Sequence, residues 1–346
     1  MTSSPAFSPA PPRSRRGRLL PVAALALAAA AASAGAERVP VLVAERGTAA
    51  VLPDPASERT VALPLAAGER ASAVAGGADR WYVAGLRAEE SGERIVVFAG
   101  GGAETRRLPA LREAPSRFLG SPLPVAAADR LAGVAWIEGG ERAQAVRFAA
   151  WDGEVWGAAE TVSPPGPGSQ LAPAAAVLDD GTPLLVWSAF DGADDEILWS
   201  ARTAEGWSEP RRLAEDDRVP DVTPAVAAVP GGALAAWSRY DEGEYRLWTA
   251  AFRDGRWEPA RRAGEPGSLF PTFVAGGERP RILYRTADPA GWAVLELDGA
   301  GRALRWAGAA GRAPERPVVV YEGVETLLAW PGTGRSGVPL VWREVP

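Results

Sequence analysis

The chain of 346 residues has no cysteine and no histidine, and all of its 37 basic residues are arginine. Without cysteine it can form neither disulfides nor thiolate metal sites, and it cannot carry the lipid of a bacterial lipoprotein. Without histidine, a zinc site of the usual ligand set and a Ser-His-Asp triad are both excluded. We therefore expect no cofactor, and no catalytic set is recognisable.

Long apolar runs are also scarce. The one near the N-terminus, Leu19 to about Ala32, follows four arginines and ends in Ala34-Gly35-Ala36. This pattern predicts an export signal over residues 1–36. Arg15-Arg16 leaves both the general and the twin-arginine route open. The run of about fourteen residues is short for a membrane span, so we expect a periplasmic or secreted protein without one.

Positive charge is limited. The net charge is −6, and it becomes −10 when the four arginines of the export signal are removed. This balance argues against nucleic acid or an anionic membrane as partner. The arginine-only basic set and the abundance of Ala, Gly and Pro indicate a GC-rich bacterial genome.

What the sequence does contain is a repeat of about fifty residues. Each copy has an anchor residue at the end of its second apolar run, and the anchors are spaced by 51, 51, 50, 47 and 46 residues: Gly85, Trp136, Trp187, Trp237, Tyr284 and Trp330. A period of this length, made of short apolar runs and turns, is typical of a β-propeller. The sequence thus predicts an all-β fold, a six-bladed propeller, as one domain over residues 37–346.

Each copy divides into four β-like runs, the strand number of one blade. We expect the first run to begin at a proline, as at Pro124, Pro173, Pro224, Pro271 and Pro317. The fourth run carries the protections of an exposed edge, namely Pro210, Pro259 and the arginine pairs 106–107, 211–212 and 261–262. An arginine stripe that binds an anionic partner is the alternative. The predicted blades are roughly 71–110, 124–160, 173–214, 224–263, 271–306 and 317–346.

The sixth copy has no room for a fourth strand, so we expect an N-terminal strand to complete it and close the ring. Two segments are candidates, Val39 to Ala44 and Thr60 to Leu65. The second fits better because it directly precedes the first blade. Residues Glu45 to Glu58 would then form an extra surface segment.

The fourteen tryptophans suggest sugar-stacking platforms, but most recur at fixed repeat positions where aromatic bulk fills the space between blades. Core packing is expected for Trp136, Trp187, Trp199, Trp237, Trp248 and Trp330. Trp81 and Trp292 break the register and are the candidates for exposure.

The loops between the second and third runs share one face of a propeller, where sites gather. From these loops we predict ligand-binding residues Asp191, Asp194, Arg239, Tyr240, Asp241, Arg285 and Arg335. The acidic loops could also hold Ca²⁺, but their spacing matches no EF-hand loop, and no metal site is predicted. A tyrosine beside acids can serve as a glycosidase nucleophile, although ordinary loop polarity is the simpler interpretation.

The segment Ser200-Ala201-Arg202-Thr203-Ala204-Glu205-Gly206-Trp207 resembles the Asp-box turn (S-x-D-x-G-x-x-W) of sialidase-type, bacterial-neuraminidase-repeat propellers. Ser200 and Trp207 keep the motif's spacing, while Arg202 and Ala204 replace its Asp and Gly. The Arg-Ile-Pro motif of such sialidases is absent near Arg70. The resemblance implies the fold and not the catalytic set. Six-bladed fucose lectins are similar in a looser way.

Together these features predict an exported, non-catalytic propeller that binds carbohydrate or a cell-envelope protein. The alternative is a divergent sialidase-like glycoside hydrolase. An acid and a base or nucleophile that converge in one pocket would favour the enzyme. We expect a monomer that binds no nucleic acid.

Overall fold

The computed structural model describes these residues: 40–45, 48–53, 60–77, 79–102, 104–111, 114–116, 119–140, 143–166, 168–274, 279–287, 291–309, 318–322, 325–330 and 340–344. The described part of the chain forms strands and turns without a helix, so it holds no helix long and apolar enough to cross a membrane. The predicted export signal lies outside these residues.

The strands form seven antiparallel sheets, each built from consecutive strands. The first three sheets comprise β1 (Val41–Glu45), β2 (Thr48–Leu52), β3 (Val61–Ala62); β4 (Glu69–Gly76), β5 (Trp81–Glu89), β6 (Gly92–Gly101), β7 (Glu104–Arg107); and β8 (Leu119–Ala127), β9 (Arg130–Gly140), β10 (Ala143–Ala150), β11 (Glu160–Gly166). Each sheet runs in chain order, as in a propeller blade.

The fourth and fifth sheets comprise β12 (Gln170–Val177), β13 (Pro183–Phe190), β14 (Asp195–Thr203), β15 (Gly206–Trp207), β16 (Arg211–Arg212); and β17 (Asp221–Val229), β18 (Gly232–Asp241), β19 (Glu244–Arg253), β20 (Arg256–Trp257), β21 (Arg261–Arg262). The sixth and seventh comprise β22 (Ser268–Val274), β23 (Arg281–Thr286), β24 (Gly291–Leu297), β25 (Ala303–Ala309); and β26 (Val318–Glu322), β27 (Glu325–Trp330), β28 (Leu340–Glu344). Each of the six predicted repeats is therefore one of the last six sheets.

The first strands of successive sheets lie side by side, from β4 through β8, β12 and β17 to β22, which contacts β26. The apolar core forms layers between adjacent sheets. Trp136 packs in the layer between the second and third sheets, Trp187 between the third and fourth, and Trp237 between the fourth and fifth. Trp136, Trp187, Trp199 and Trp237 are buried, as predicted. Trp248 is partly buried; the side chains of Trp292 and Trp330 lie outside the described set.

The prediction that an N-terminal strand completes the last sheet is not met in the structure. Val61–Ala62 pairs with β2 instead of with the strand that contains Trp342, and that strand pairs with β27. Glu45 to Glu58 is not merely a surface segment, because it contributes β2, on which Val51 is fully buried. This additional sheet covers Trp81, which is buried and not exposed as expected.

The prolines of the first strands also differ in position from the prediction. The innermost strands of the fourth, fifth and sixth sheets begin three residues before Pro173, Pro224 and Pro271. Each proline lies in a β-bulge that shifts the register with the neighbouring strand. A bulged residue needs no ladder partner, so proline is tolerated there. The equivalent residue of the third sheet is Pro122, not Pro124.

The outer strands of the fourth and fifth sheets carry proline and arginine at their exposed edge, as predicted. In the fourth sheet the outer strand divides into β15 and β16 on either side of Pro210, and in the fifth Pro259 divides β20 from β21. The exposed pairs Arg211–Arg212 and Arg261–Arg262 are β16 and β21 themselves. In these two sheets proline and charge thus leave only two-residue edge segments for pairing with another chain.

Candidate functional site

The six predicted site residues that the structure describes lie at one end of the sheets, which we call the loop face. It carries the hairpins between β13 and β14 and between β18 and β19. Asp191 and Asp194 belong to the first hairpin, and Tyr240 and Asp241 to the end of β18. Arg239 precedes them on β18, Arg285 is an exposed residue of β23, and Arg335 lies outside the described residues.

The first hairpin is organised by Asp191. Its Oδ1 accepts hydrogen bonds from the backbone N–H of Ala193 at 2.9 Å and of Asp194 at 3.3 Å. Its Oδ2 is 2.8 Å from Arg212 Nη2, and Arg212 Nη1 is 2.9 Å from Asp216. These hydrogen bonds, first that of Ala193, lower the pKa of Asp191. Asp191 is therefore an ionised carboxylate that fixes the turn.

Two buried acids, Asp194 and Glu196, lie next to this turn. Glu196 is 2% exposed and Asp194 is 6% exposed. Burial raises the pKa of Glu196 to about 8, and the carboxylates of Asp221 and Asp194 add to the increase. Burial likewise raises the pKa of Asp194, with Asp191 and Asp216 as further contributors. Asp191, Asp194, Glu196 and Asp216, here called the acidic cluster, thus come from three segments.

Arg239 adjoins the acidic cluster through a separate ion-pair network. Its Nη1 is 3.1 Å from Asp221 Oδ2, and its Nη2 pairs with Asp217. The guanidinium also lies over the Trp248 ring, 5.0 Å from its centroid. Burial raises the pKa of Asp221 to about 7, although Arg239 acts in the opposite direction. Arg239 is buried, and both of its Nη atoms are held by these carboxylates, which leaves it little freedom to bind a ligand.

The remaining loop-face residues do not join this network. Tyr240 is 43% exposed, and its ring meets that of Tyr245 edge-on at 5.1 Å. Asp241 pairs with Arg262. Within the described chain no hydrogen bond or ion pair connects Arg285 with the other predicted residues. The structure therefore brings Asp191 and Asp194 together, places Arg239 beside them, and leaves Tyr240, Asp241 and Arg285 outside this network on the same loop face.

A cleft of about 940 Å³ lies at the opposite end of the sheets. It is formed by turns of the second, third and fourth sheets, including those at Asp79–Arg80, Asp129–Arg130 and Asp152–Gly153. In an antiparallel meander these turns alternate with the loop-face hairpins, so the cleft opens on the other face. The sequence prediction placed no site residue here.

The cleft combines charged and aromatic walls. Arg80, Arg106 and Arg130 are exposed along it. Trp151 also lines it, partly exposed, and its ring packs on Trp156 with the centroids 4.7 Å apart. At the base, the Tyr82 hydroxyl donates a hydrogen bond of 2.9 Å to the Asp129 carbonyl.

Further polar groups complete the wall. Arg202 is held by Glu160 through hydrogen bonds of 2.8 and 3.2 Å. Asp152 accepts hydrogen bonds of 2.8 Å from the backbone N–H of Glu154 and of Val155, which lower its pKa. The Asp152-Gly153 turn was visible in the sequence, but nothing there showed that turns of three sheets would converge.

The chain matches no protein-family model, and no curated protein matches it. Among solved structures, it is similar to the polysaccharide lyase Uly1, with a TM-score of 0.53 and 9% identity over 89% of each chain. It is similar to a mutant of the Aleuria aurantia lectin in complex with alpha-methyl-L-fucoside, with a TM-score of 0.51 and 13% identity over 82% of this chain and 96% of that one. The fold is of the propeller type.

A Hadza microbial sialidase, Hz136, is similar with a TM-score of 0.47 and 13% identity, over 73% of this chain. The chain spans 64% of that sialidase's length, less than two thirds. At such identities the similarity of these structures concerns the fold alone. Function must therefore be argued from the sites themselves.

Proposed function

We propose that the protein is an exported, non-catalytic propeller module that binds a mostly neutral glycan in the cleft of the second, third and fourth sheets. The observation that carries the proposal is the lining of this cleft, with an aromatic face beside exposed guanidinium and carboxylate groups. Such a combination suits sugars, because an indole packs on a pyranose ring while charged groups exchange hydrogen bonds with hydroxyls.

The charges of the cleft favour a hydroxyl-rich ligand over a strongly anionic one. Arg80, Arg106 and Arg130 stand among carboxylates, including Asp79 and Asp129. Guanidinium groups donate to hydroxyl oxygens and carboxylates accept from hydroxyl hydrogens. A polyanionic ligand would contact both positive and negative side chains, so repulsion by the carboxylates would offset its attraction to the arginines.

Binding is favoured over catalysis by the position of the perturbed acids. Glu196 and Asp221, whose pKa values are raised by burial, are almost inaccessible to solvent and do not line the cleft. A general acid must reach the atom that it protonates, and these two cannot touch a substrate in this arrangement. A divergent glycoside hydrolase remains the alternative that activity measurements test.

The ligand site predicted on the loop face stays a second location for the same function. Tyr240 is its most accessible aromatic residue, and Arg285 is exposed. The two locations can be separated because their side chains lie on opposite ends of the sheets.

A glycan array probed with the full chain, followed by calorimetric titration of the best glycan, tests the proposal. Trp151→Ala should weaken binding about tenfold, the equivalent of about 1.4 kcal/mol, and Arg130→Glu should weaken it further. Val155→Ala is the matched control, since Val155 is an exposed residue of the same turn that does not line the cleft.

Other results of these experiments would indicate a different site or a different function. Loss of binding in Tyr240→Ala or Arg285→Glu with normal binding in Trp151→Ala would place the ligand on the loop face. Turnover of chromogenic glycosides would establish the hydrolase instead. Absence of any bound glycan would refute the carbohydrate proposal and favour an envelope protein as partner.

Export and ring closure belong to the same proposal. Residues 1–36 are expected to be removed, so N-terminal sequencing of the exported protein should begin at Glu37; retention in the cytoplasm would contradict export.

We also infer that the seven sheets form one ring in which the first sheet stands between the seventh and the second. Contacts of β1 with β4 and of β22 with β26 support this order.

A further inference from the structure

The acidic cluster has the geometry of a cation site. Asp191, Glu196 and Asp216 each place a carboxylate oxygen within 4.8 Å of the other two. They come from the β13–β14 hairpin, from β14 and from the segment between β16 and β17. Oxygen ligands at such separations can share one ion with coordination distances of about 2.3–2.6 Å.

A second observation is independent of this clustering. The Oε1 atom of Glu196 is buried and has no hydrogen-bond partner among the described residues, and neither do Oδ1 and Oδ2 of Asp194. Both side chains are more than nine-tenths buried. Buried carboxylate oxygens without partners are costly in a folded protein, and they normally pair with a donor, a cation or a metal.

The next sheet supplies an internal comparison. Its hairpin repeats the same framework, since Asp241 pairs with Arg262 of β21 as Asp191 pairs with Arg212 of β16. At the position opposite Arg239, however, the fifth sheet has Arg246. The equivalent position of the fourth sheet, opposite Ala189, has Glu196.

The difference between Arg246 and Glu196 at this position sets the charge of each hairpin. Arg246 Nη2 lies 3.3 Å from Glu242 Oε2 and supplies a second positive charge to the fifth-sheet hairpin. In the fourth-sheet hairpin Arg212 pairs with Asp191 and Asp216, and the nearby Arg239 is already paired with Asp217 and Asp221. This hairpin lacks the second positive charge that its neighbour has.

We propose that the acidic cluster binds Ca²⁺, with Asp191, Glu196 and Asp216 as ligands and the buried Asp194 beside them. An all-oxygen set with three or four carboxylates suits a hard cation. Ca²⁺ fits better than Mg²⁺ because the ligands come from separate segments and do not impose the strict octahedron that Mg²⁺ requires. Arg212, with a side chain 39% exposed, can turn to solvent when the ion enters.

The site is distinct from the glycan cleft, which lies at the other end of the sheets.

Calorimetric titration of the chelator-treated full chain with CaCl₂, and separately with MgCl₂, tests the site. We expect saturable Ca²⁺ binding, at least tenfold tighter than Mg²⁺, and a Ca²⁺-dependent increase in melting temperature. Glu196→Gln, which keeps the shape of the side chain, should weaken Ca²⁺ binding at least tenfold and remove the thermal shift. Asp216→Asn should weaken binding as well.

Asp241→Asn is the matched control, because it alters the equivalent aspartate of the fifth sheet and should leave Ca²⁺ affinity within about twofold. Absence of saturable Ca²⁺ binding up to millimolar concentration would overturn the proposal. An equal loss of Ca²⁺ affinity in Asp241→Asn and Glu196→Gln would also overturn the proposal, because it would indicate that Ca²⁺ only screens the negative charge of the loops in general. Circular dichroism of both variants separates loss of binding from loss of folding.

Discussion

At the scale of single residues, the anchors of the repeat are packing elements. Trp187 is fully buried between the third and fourth sheets, and in the part of the chain that the structure describes its indole N–H has no hydrogen-bond partner. Its contribution is therefore apolar contact alone. Trp151 differs, because it lines the cleft while resting on Trp156. The same residue type thus has two roles, according to whether a neighbouring sheet covers it.

Trp187→Ala should lower the free energy of unfolding by about 3–5 kcal/mol, because it removes a large buried side chain and leaves a cavity. Urea denaturation measures this loss. Trp151→Ala, at a partly exposed position, should cost far less. Equal losses in the two variants would contradict the packing role assigned to Trp187.

Glu69 makes a second residue-scale contribution, this one dependent on pH. Its buried carboxylate accepts hydrogen bonds of 2.5 Å from both Nη atoms of Arg107. These bonds hold the pKa of Glu69 below its ordinary value of 4.5, against the opposing effect of burial. A carboxyl with a lowered pKa in the folded state stabilises the protein above the unfolded value. That stability is lost as pH falls through the folded pKa.

The urea midpoint of the wild-type protein should therefore decrease between about pH 5 and pH 3. In Glu69→Gln this part of the decrease should be absent, and stability at neutral pH should be lower because Arg107 loses its partner. Glu209→Gln alters an exposed acid and serves as control. Identical pH profiles for Glu69→Gln and the wild type would show that this pair does not govern acid stability.

At the scale of elements, the first sheet covers the apolar side of the second sheet. β2 and β3 contribute Val51 and Val61 to a core layer that they share with Trp81, Val83 and Phe98 of the second sheet. Without that layer the apolar side of the second sheet would face water, and exposed apolar surface promotes association.

Deleting residues 37–66 behind an intact export signal should thus lower the melting temperature and sharply reduce solubility, with increased binding of a hydrophobic dye. As a milder test, Val51→Ala should destabilise the protein by about 1–2 kcal/mol, whereas Val155→Ala, at an exposed position, should not. Unchanged melting and solubility after the deletion would contradict both the covering role of the first sheet and ring closure through it.

The bulges of the innermost strands are a recurring element. Ala172, Thr223 and Phe270 have positive φ values of 47°, 53° and 54°, each just before the proline of its strand. Non-glycine residues rarely adopt this conformation, and it costs about 1–2 kcal/mol. Its repetition in three successive sheets shows that the bulge belongs to the architecture of the repeat and is not a defect of one strand.

At the scale of the whole molecule, two surfaces with different chemistry occupy opposite ends of the sheets. The loop face carries the acidic cluster around Glu196, and the other end carries the cleft around Trp151 and Arg130. Their separation makes the two proposals independent. Loss of Ca²⁺ binding in Glu196→Gln should leave glycan binding unchanged, and Trp151→Ala should leave Ca²⁺ binding unchanged.

The sequence by itself determined the repeat, the strand pattern and the buried anchors, because the period of apolar residues is a local property. It offered Val39 to Ala44 and Thr60 to Leu65 as strand candidates but did not reveal that they belong to a separate first sheet, whose short apolar runs lack an anchor such as Trp187. It also could not place Glu196 or the cleft. Whether an acid is buried, or turns of three sheets converge, depends on the packing of distant segments. Only the tertiary structure, by setting Glu196 beneath the Asp191 turn and Trp151 beside Arg130, decided where binding sites can form.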